Sequence, residues 1–226
     1  MLTNKAESQE INKFTTWKYK FTLKEALNFE IRSLLGRTFL NQKPRLKPKD
    51  KNFLNLGCGP TRFKEFVNAD FFAFRSSSRL DWMVDLRYPL NCEDNVWDGV
   101  FTEHTLEHLY PDQAYFLLQE LYRTMRSGSR IRITVPDLSK YIDFYNGKLV
   151  DEKFSKWETG CEGIRSLTQN YFHLSLWDFR LLEKYLSTTG FINIQQFEFR
   201  QGVNPFLLVD SEGRAWETLY VEAQKP

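Results

Sequence analysis

Residues 53–59 read Phe-Leu-Asn-Leu-Gly-Cys-Gly, a short apolar run that closes on two glycines. The run predicts a buried strand, and Gly57 and Gly59 allow a sharp turn with no Cβ between the backbone and a ligand. A Gly-x-Gly turn directly after a strand is typical of a nucleotide-binding site. Glycine is also common in turns that bind nothing, so the residues after this stretch must decide between the two interpretations.

Several later apolar segments end at a polar side chain, as the strands of a ligand-binding sheet do. The residues at these ends are Asp70, Asp85, Glu103, His104 and Asp137. Between the segments lie helical patterns, one from Pro111 to Gly128 and one from about Ser175–Asp178 to Gly190. This alternation predicts an open parallel α/β sheet, which binds ligands at the carboxyl ends of its strands. There, an acid after strand two suits a ribose, and an acid after strand three suits an adenine amino group.

Taken in order, these segments resemble the class I S-adenosylmethionine-dependent methyltransferases, and most closely their compact type 11-like group. The matching stretches are residues 55–59, 67–70, 85–86 with 89–90, 97–101 with 104–109, 130–137 and 190–191. They belong to a region of about 52–223. The fold that the resemblance implies is a Rossmann-like, doubly wound α/β sheet of seven strands, whose last strand, at about 216–223, is antiparallel.

The resemblance also implies a cofactor, S-adenosylmethionine, with S-adenosylhomocysteine as the product. The residues that it places around the cofactor are Leu56, Gly57, Cys58, Gly59, Asp70, Asp85, Leu86, Glu103 and His104. In this arrangement the glycine turn lies under the methionine part, and the acid after strand two holds the ribose. The acid after strand three and Leu86 frame the adenine, while Glu103 and His104 line the pocket below the methyl group.

Two features depart from the family pattern. The third glycine is absent, and Pro60 and Thr61 stand in its region. In addition, only about nine residues separate the first two strands, whereas a parallel crossover normally needs a dozen or more. A full helix does not fit in that connection, and Asp70 follows Gly57 by only 13 residues.

The implied reaction is methyl transfer to an oxygen or nitrogen atom of a small-molecule or sugar acceptor. Residues 138–176 are longer than a plain connection and rich in aromatic residues, and in this family such an insertion roofs the acceptor site. His173 is its only residue suited to proton transfer near neutral pH. His104 and Asp137 are the other candidate bases, and the alternative for His173 is a structural role beside the aromatic cluster.

Two other functions fit parts of the sequence. His104-Thr105-Leu106-Glu107-His108 matches the His-x-x-Glu-His pattern of zinc hydrolases, with two histidine ligands and Glu107 as the base. Against this, the motif directly follows a strand, and its second half is ordinary at that place in the methyltransferase family. A helix start packed on the sheet is therefore favoured, and no metal is expected. The third hypothesis is a non-catalytic module that binds a partner on a methyltransferase fold.

Residues 1–51 form a predicted basic extension, and residues 52–226 form the predicted methyltransferase domain. The extension has 12 Lys or Arg against 5 Asp or Glu, a balance of +7, and the remainder has 19 against 24, a balance of −5. Thr22 and Glu25 have capping-box spacing, which predicts a helix over about 22–40. Its apolar stripe consists of Leu23, Leu27, Ile31, Leu34 and Leu35. A linker at 43–49, with two prolines and four cations, follows the helix.

This helix is expected to pack against the domain, because the short connection after Gly57 leaves strands one and two without their usual covering helix. Its cations are then expected on the outer side or beside the cofactor pocket. The competing hypothesis is a free amphipathic arm that makes a weak contact with an acidic membrane or partner.

The composition excludes several classes of protein. Hydrophobic residues are 42% of the 226 and charged residues 27%, which is too apolar for a disordered chain. No stretch approaches the ~18 uninterrupted apolar residues of a membrane helix, and residues 1–10 lack a signal-peptide core. Cys58, Cys92 and Cys161 are too scattered for a disulfide framework or a cysteine-rich zinc site. We therefore expect a cytoplasmic protein. The resemblance implies a small-molecule or saccharide acceptor, and no nucleic-acid partner is expected.

Overall fold

The computed structural model describes residues 22–40, 43–46, 51–71 and 80–226. The strands in this part of the chain are β1 (Phe53–Leu56), β2 (Phe66–Asp70), β3 (Trp82–Met83), β4 (Trp97–Glu103), β5 (Met125–Pro136), β6 (Ile192–Phe197) and β7 (Thr218–Gln224). The α-helices are α1 (Leu23–Leu35), α2 (Pro111–Thr124), α3 (Leu138–Tyr145), α4 (Gly160–Gln169) and α5 (Phe179–Thr189). Residues 1–21 of the predicted basic extension, and residues 47–49 of its linker, lie outside the described residues.

The seven strands form one sheet in the order β3-β2-β1-β4-β5-β7-β6. β1 runs parallel to β2 and β4, and β4 runs parallel to β5. β7 is antiparallel to both of its neighbours, β5 and β6. The predicted seven-stranded sheet with an antiparallel last strand is therefore confirmed, and the carboxyl ends of β1 to β4 lie along one edge.

The sequence predicted both ends of α5 correctly but only the beginning of α2. α5 begins after Asp178, which accepts a hydrogen bond from Leu181 N, and ends at Gly190 with φ +109°, as predicted. α2 begins at Pro111 but ends at Thr124, so the predicted end at Gly128 is wrong. Met125 is extended and fully buried, and it pairs with β4 as the first residue of β5. Tertiary packing of Met125 therefore ends the helix before the glycine does.

The main hydrophobic core fills one face of the sheet. Leu54, Val100 and Ile131 of the central strands contribute to it together with Leu117 of α2 and Leu186 of α5. All five side chains are fully buried. Helices therefore cover this face, as the alternating pattern of the sequence indicates.

Aromatic side chains and loops cover the opposite face of β1 and β2. Phe53, Phe66 and Phe101 form a second core with Leu207, which comes from the loop after β6. The connection at 57–65 contains no helix, as the sequence predicts. The aromatic cluster and this loop therefore take the place of the missing crossover helix.

Two buried asparagines hold the short connection in place. Asn68 Oδ1 accepts hydrogen bonds from Asn55 Nδ2 at 3.0 Å and from Phe63 N at 2.9 Å. Asn55 Nδ2 also donates to the carbonyl of Thr61 at 3.1 Å. These side-chain amides satisfy backbone groups that a helix would otherwise satisfy internally, so the connection keeps its shape without a helix.

A buried ion pair joins the loop after β6 to the middle of the sheet. Arg132 makes two hydrogen bonds to the carboxylate of Asp210, at 2.7 and 2.6 Å. Glu222 of β7 lies 3.3 Å from the same guanidinium, and all three side chains are at most 1% exposed. A two-fold hydrogen bond of this kind fixes geometry as well as charge.

The N-terminal helix α1 contacts the domain, as predicted, but through side chains other than those of its apolar stripe. The stripe residues Leu23, Leu27, Ile31, Leu34 and Leu35 are between 47% and 87% exposed. The contacts come instead from Phe29, whose ring centroid is 4.5 Å from that of Phe71, and from Glu30 and Ser33. The apolar stripe is therefore not the packing surface, and the Phe cluster already covers the face of β1 and β2 that α1 was expected to cover.

The other predictions for α1 concern its ends and its cations. The capping box of Thr22 and Glu25 is present, and the helix ends at Leu35, with a single π-helical turn over Gly36–Leu40 completing the predicted range. Lys24 and Arg32 are exposed, while Arg37 lies beside a pocket, as expected for the cations of this helix. No helix among the described residues is long and apolar enough to cross a membrane.

The buried ion pair gives a stability prediction. Asp210→Ala leaves the Arg132 guanidinium buried with only Glu222 as a charged partner, so it should lower the free energy of unfolding by about 3 kcal/mol. Asp94→Ala breaks the largely exposed pair between Asp94 and Arg123 and should cost less than about 1 kcal/mol. Urea unfolding of both variants measures the two losses, and equal losses would contradict the assignment.

Candidate functional site

The glycine turn after β1 is held against the end of β2. Gly57 N and Cys58 N both donate to the carbonyl of Ala69, at 2.9 and 3.1 Å. Gly57 has φ +68°, and a Cβ there would lie 2.1 Å from Thr105 Oγ1, so only glycine fits. Gly59 has φ +50° and open space where its Cβ would be. The turn is therefore closed towards Thr105 and open on the side of Gly59.

Two further residues predicted to bind the cofactor lie in this turn but have buried side chains. Leu56 is fully buried and Cys58 is 5% exposed. Burial raises the pKa of the Cys58 thiol to about 12, so the thiol stays protonated and unreactive. Leu56 and Cys58 therefore offer a ligand mainly their backbone.

Asp70 closes β2 and points back at the glycine turn. Its Oδ2 accepts a hydrogen bond from Gly59 N at 2.5 Å, and its Oδ1 accepts one from Phe71 N at 2.6 Å. Burial raises the pKa of this carboxyl, and the two amide donors oppose the rise. An ionised carboxylate has about four acceptor positions, so about two remain on Asp70 for a ligand.

Asp85 follows β3 and has no acceptor position left over. Its two oxygens accept hydrogen bonds from Ser33 Oγ of α1 and from the backbone N, Nε and Nη2 of Arg87. Burial alone would raise the pKa of Asp85, but these donors outweigh burial and lower it. Asp85 therefore anchors α1 in this structure, whereas its neighbour Leu86 packs against the main core.

A cavity of about 240 Å³ lies between α1 and the end of β3. Residues that line it include Ser33, Arg37, Phe71, Trp82, Met83, Asp85 and Tyr88. The Arg37 guanidinium lies 3.5 Å from the centre of the Tyr88 ring. Ser33 and Arg37 were missed by the sequence reasoning, since no local pattern shows that α1 returns to a strand about 50 residues away.

A second pocket of about 240 Å³ lies at the end of β4. It is lined by His104, Glu107, His108, Tyr171, Phe172, His173 and Arg214. All three histidines of the chain therefore lie in one place. We call it the histidine pocket. Thr105, which abuts Gly57, is the neighbour of His104, so the histidine pocket adjoins the glycine turn.

His104 is fixed by contacts of both ring nitrogens. Thr218 Oγ1 donates its only proton to the carbonyl of Arg214 at 2.7 Å. The same oxygen lies 2.8 Å from His104 Nε2, so it accepts there and Nε2 carries a proton. His104 Nδ1 lies 3.2 Å from Glu107 Oε1.

Glu107 is a buried carboxylate among the three histidines. It is 1% exposed, and among the described residues no aligned hydrogen-bond donor meets either of its carboxylate oxygens. Burial opposes its ionisation, but His104 beside it outweighs burial and lowers the pKa of Glu107. Its backbone carbonyl accepts from Leu174 N and Ser175 N, which ties the loop after α4 to this pocket.

His173 comes from that loop and presents one free ring nitrogen. Its Nδ1 lies 2.6 Å from the carbonyl of Leu167. A carbonyl can only accept, so Nδ1 carries the proton and Nε2 keeps its lone pair. Burial lowers the pKa of His173, so its neutral form is favoured at pH 7.

The remaining candidate residues lie outside the histidine pocket. Asp137 caps α3 by accepting from Ser139 N at 2.9 Å, and it is 5% exposed, which favours a structural role. The carboxylate of Glu103 accepts from both the backbone N and Oγ of Ser211. Of the pair predicted below the methyl group, only His104 lines the histidine pocket.

The helix that the zinc-hydrolase alternative requires is absent from this described region. Leu106–His108 form a short 3₁₀ turn, and His104 precedes it with φ +49°. His104 and His108 therefore do not lie one helical turn apart on an α-helix, and both nitrogens of His104 have other neighbours. The predicted helix start is in fact this 3₁₀ turn.

The fold has a counterpart among solved structures. A SAM-dependent methyltransferase from Archaeoglobus fulgidus aligns with a TM-score of 0.51 at 17% identity, over 87% of this chain and 94% of that one. The chain has the fold of the class I S-adenosylmethionine-dependent methyltransferases.

Other structures align with this methyltransferase fold at similar levels. A possible exported protein from Bordetella parapertussis gives a TM-score of 0.50 at 13% identity, over 90% of this chain and 67% of that one. A possible histamine N-methyltransferase from Thermotoga maritima gives 0.49 at 14% identity, over 96% of both chains. Searches with protein-family models and among curated protein sequences found no match.

The lowered pKa of Asp85 predicts how the stability of this methyltransferase fold depends on pH. The folded-state pKa lies below the ~3.9 of an unfolded chain, so ionised Asp85 stabilises the fold above about pH 4. That contribution is lost as the pH falls through the folded-state pKa. Asp85→Asn should therefore cost most stability near neutral pH, and the cost should shrink in acid. Urea unfolding of both proteins from about pH 6 to pH 3 measures this, and a constant difference would contradict it.

Proposed function

We propose that the chain binds S-adenosylmethionine at the carboxyl edge of β1 to β3 and transfers its methyl group to an oxygen or nitrogen atom of a small-molecule or sugar acceptor. The observation that supports this most is the convergence of the Gly57–Gly59 turn with Asp70 beside a cavity, next to a pocket with three histidines. The methyltransferase fold supports the same reading.

The residues at this edge suit an adenosyl ligand. Asp70 keeps about two acceptor positions, which matches the two hydroxyl groups of a ribose. The open side of Gly59 leaves room for the chain of the methionine part. Phe71, Met83 and Tyr88 offer apolar surface to a flat base in the cavity under α1.

Asp85 has a different part in this proposal from the one that the family pattern implies. Its acceptor positions are filled by Ser33 and Arg87, so an adenine amino group would have to replace one of these donors. The hydroxyl of Ser33 is the weaker of the two, because the guanidinium is charged. We therefore propose that cofactor binding loosens the contact between α1 and Asp85.

The histidine pocket is the proposed acceptor site. When bound, S-adenosylmethionine supplies a methyl group on a sulfonium, which is already reactive, so the chain has mainly to position the acceptor and exclude water. His173 Nε2 carries the free lone pair that an acceptor hydroxyl would meet. Tyr171, Phe172 and Arg214 line the same pocket and suit a flat or sugar-like acceptor that carries an acidic group.

Cofactor binding is tested by calorimetry with S-adenosylhomocysteine. Asp70→Ala removes the proposed ribose acceptor and should weaken binding by roughly 1–3 kcal/mol. Asp94→Ala, a largely exposed carboxylate, is the control and should leave the affinity unchanged. Unchanged affinity in both Asp70→Ala and Asp85→Ala would contradict the proposed placement. No binding to the wild type would instead favour the non-catalytic module.

Acceptor chemistry is tested at His173. His173→Ala should lower the turnover of a hydroxyl acceptor about 10²–10⁴-fold, because the pocket loses the group that acts on the acceptor proton. Transfer of labelled methyl groups to a panel of sugars and small hydroxylated compounds measures this. Calorimetry on the same variant should show unchanged S-adenosylhomocysteine binding. Near-normal turnover would contradict a role in proton transfer and would favour the alternative, a structural role for His173 beside the aromatic cluster.

A further inference from the structure

Three potential metal ligands meet in the histidine pocket. One carboxylate oxygen of Glu107 and one ring nitrogen each of His108 and His173 lie within 4.8 Å of one another. This set differs from the sequence motif, because His173 comes from the loop after α4 and replaces His104. We propose that Glu107, His108 and His173 bind one divalent transition-metal ion.

The buried carboxylate supplies the first argument. Glu107 is 1% exposed, and neither carboxylate oxygen has an aligned donor among the described side chains and backbone groups. Burying an ionised carboxylate without a partner is costly. His104 Nδ1 lies 3.2 Å from Oε1 without forming an aligned hydrogen bond, and one carboxylate oxygen of Glu107 lies within 4.8 Å of a ring nitrogen of each of the other two histidines. A cation bound between that oxygen and the two rings would neutralise the buried carboxylate.

The contact between His173 and Leu167 supplies the second argument. Histidines that bind metals almost always donate their other ring N–H to a carbonyl or carboxylate, which fixes the ring and leaves a lone pair for the metal. His173 has this arrangement, with Nδ1 2.6 Å from the carbonyl of Leu167. Thr218 likewise fixes the ring of His104, whose Nδ1 lies 3.2 Å from Glu107 Oε1.

The kinds of ligand atom decide the class of metal. Two imidazole nitrogens and one carboxylate oxygen suit Zn²⁺, Fe²⁺ or Co²⁺, whereas Mg²⁺ and Ca²⁺ prefer oxygen ligands. Around a tetrahedral Zn²⁺ with bonds of 2.0–2.1 Å the ligand atoms lie roughly 3.3 Å apart. Ligand atoms that lie up to 4.8 Å apart must therefore approach one another by up to about 1.5 Å when the ion binds. His108 is exposed and its ring lies 5.1 Å from that of His173, so it has room to do so.

Three protein ligands leave one position of a four-coordinate ion open towards the pocket. An acceptor hydroxyl bound at that position would lose its proton to solvent more readily, because the metal stabilises the oxyanion. In the metal-loaded protein His173 is then a ligand rather than the proton acceptor. This consequence rests on the proposed function, whereas metal binding itself does not.

The test uses the full chain after removal of metal with EDTA and dialysis. Titration with Zn²⁺ in a calorimeter, with metal analysis of the dialysed complex, should give one ion per chain. Glu107→Gln and His108→Ala should each weaken Zn²⁺ binding about 100-fold or more, since losing a ligand costs more than the 10–100-fold of losing a supporting contact. Glu103→Gln is the matched control, because its carboxylate is held by Ser211 outside the pocket, and it should bind Zn²⁺ as the wild type does.

Each outcome supports the site or overturns it. His108 is exposed, so His108→Ala should fold, and its melting temperature without metal checks this. Fewer than about 0.2 ions per wild-type chain, or undiminished binding in both Glu107→Gln and His108→Ala, would show that the site is wrong. S-adenosylhomocysteine binding to the metal-free wild type separates the two proposals. If S-adenosylhomocysteine binds and Zn²⁺ does not, only the metal site fails, and the reverse result removes the proposed function but keeps the site.

Discussion

The nine-residue connection between β1 and β2 is the constraint on which the rest of this structure depends. β1 and β2 are parallel neighbours, and a connection this short has no room for a helix. One face of the sheet must therefore be covered by other parts of the chain. Asn55 and Asn68 satisfy the backbone of the connection from inside the sheet. The Phe cluster and the loop after β6 then fill the space, and the Arg132–Asp210 pair fastens that loop.

This closure also explains where α1 can go and what it does to the candidate site. Because the face of β1 and β2 is already covered, α1 lies instead at the carboxyl end of β3, where Ser33 and Glu30 meet Asp85 and Arg87. The carboxylates at the ends of β2 and β3 therefore differ in how many hydrogen-bond acceptor positions they have free. Asp70 keeps acceptor positions for a ligand, whereas Asp85 is saturated by the helix and its own neighbour. In the function proposed above, cofactor binding and docking of α1 compete for this one carboxylate.

The sequence could predict what depends on local pattern and on order along the chain. The glycine turn and the strand-end acids follow from short motifs, and the absence of a helix at 57–65 follows from the length of that connection. The seven strands with an antiparallel last strand follow from the family resemblance. The face of α1 that packs could not be predicted, because the hydrophobic stripe points outward and the contacts depend on Ser33 and Arg37, which have no local signal. The end of α2 was missed because burial of Met125 overrides a nearby glycine. The grouping of Glu107 with His173 required the fold, since 66 residues separate them.

Hydrogen bonds around the histidine pocket determine which ring nitrogens of His104 and His173 carry a proton beside the buried Glu107 carboxylate. Thr218 sets His104 Nε2 as a donor, and His104 Nδ1 lies 3.2 Å from Glu107 Oε1. Leu167 in turn sets His173 Nε2 as a lone pair. One buried negative charge therefore faces an unprotonated nitrogen, an arrangement that attracts a positive species, whether a proton taken from an acceptor or a metal ion.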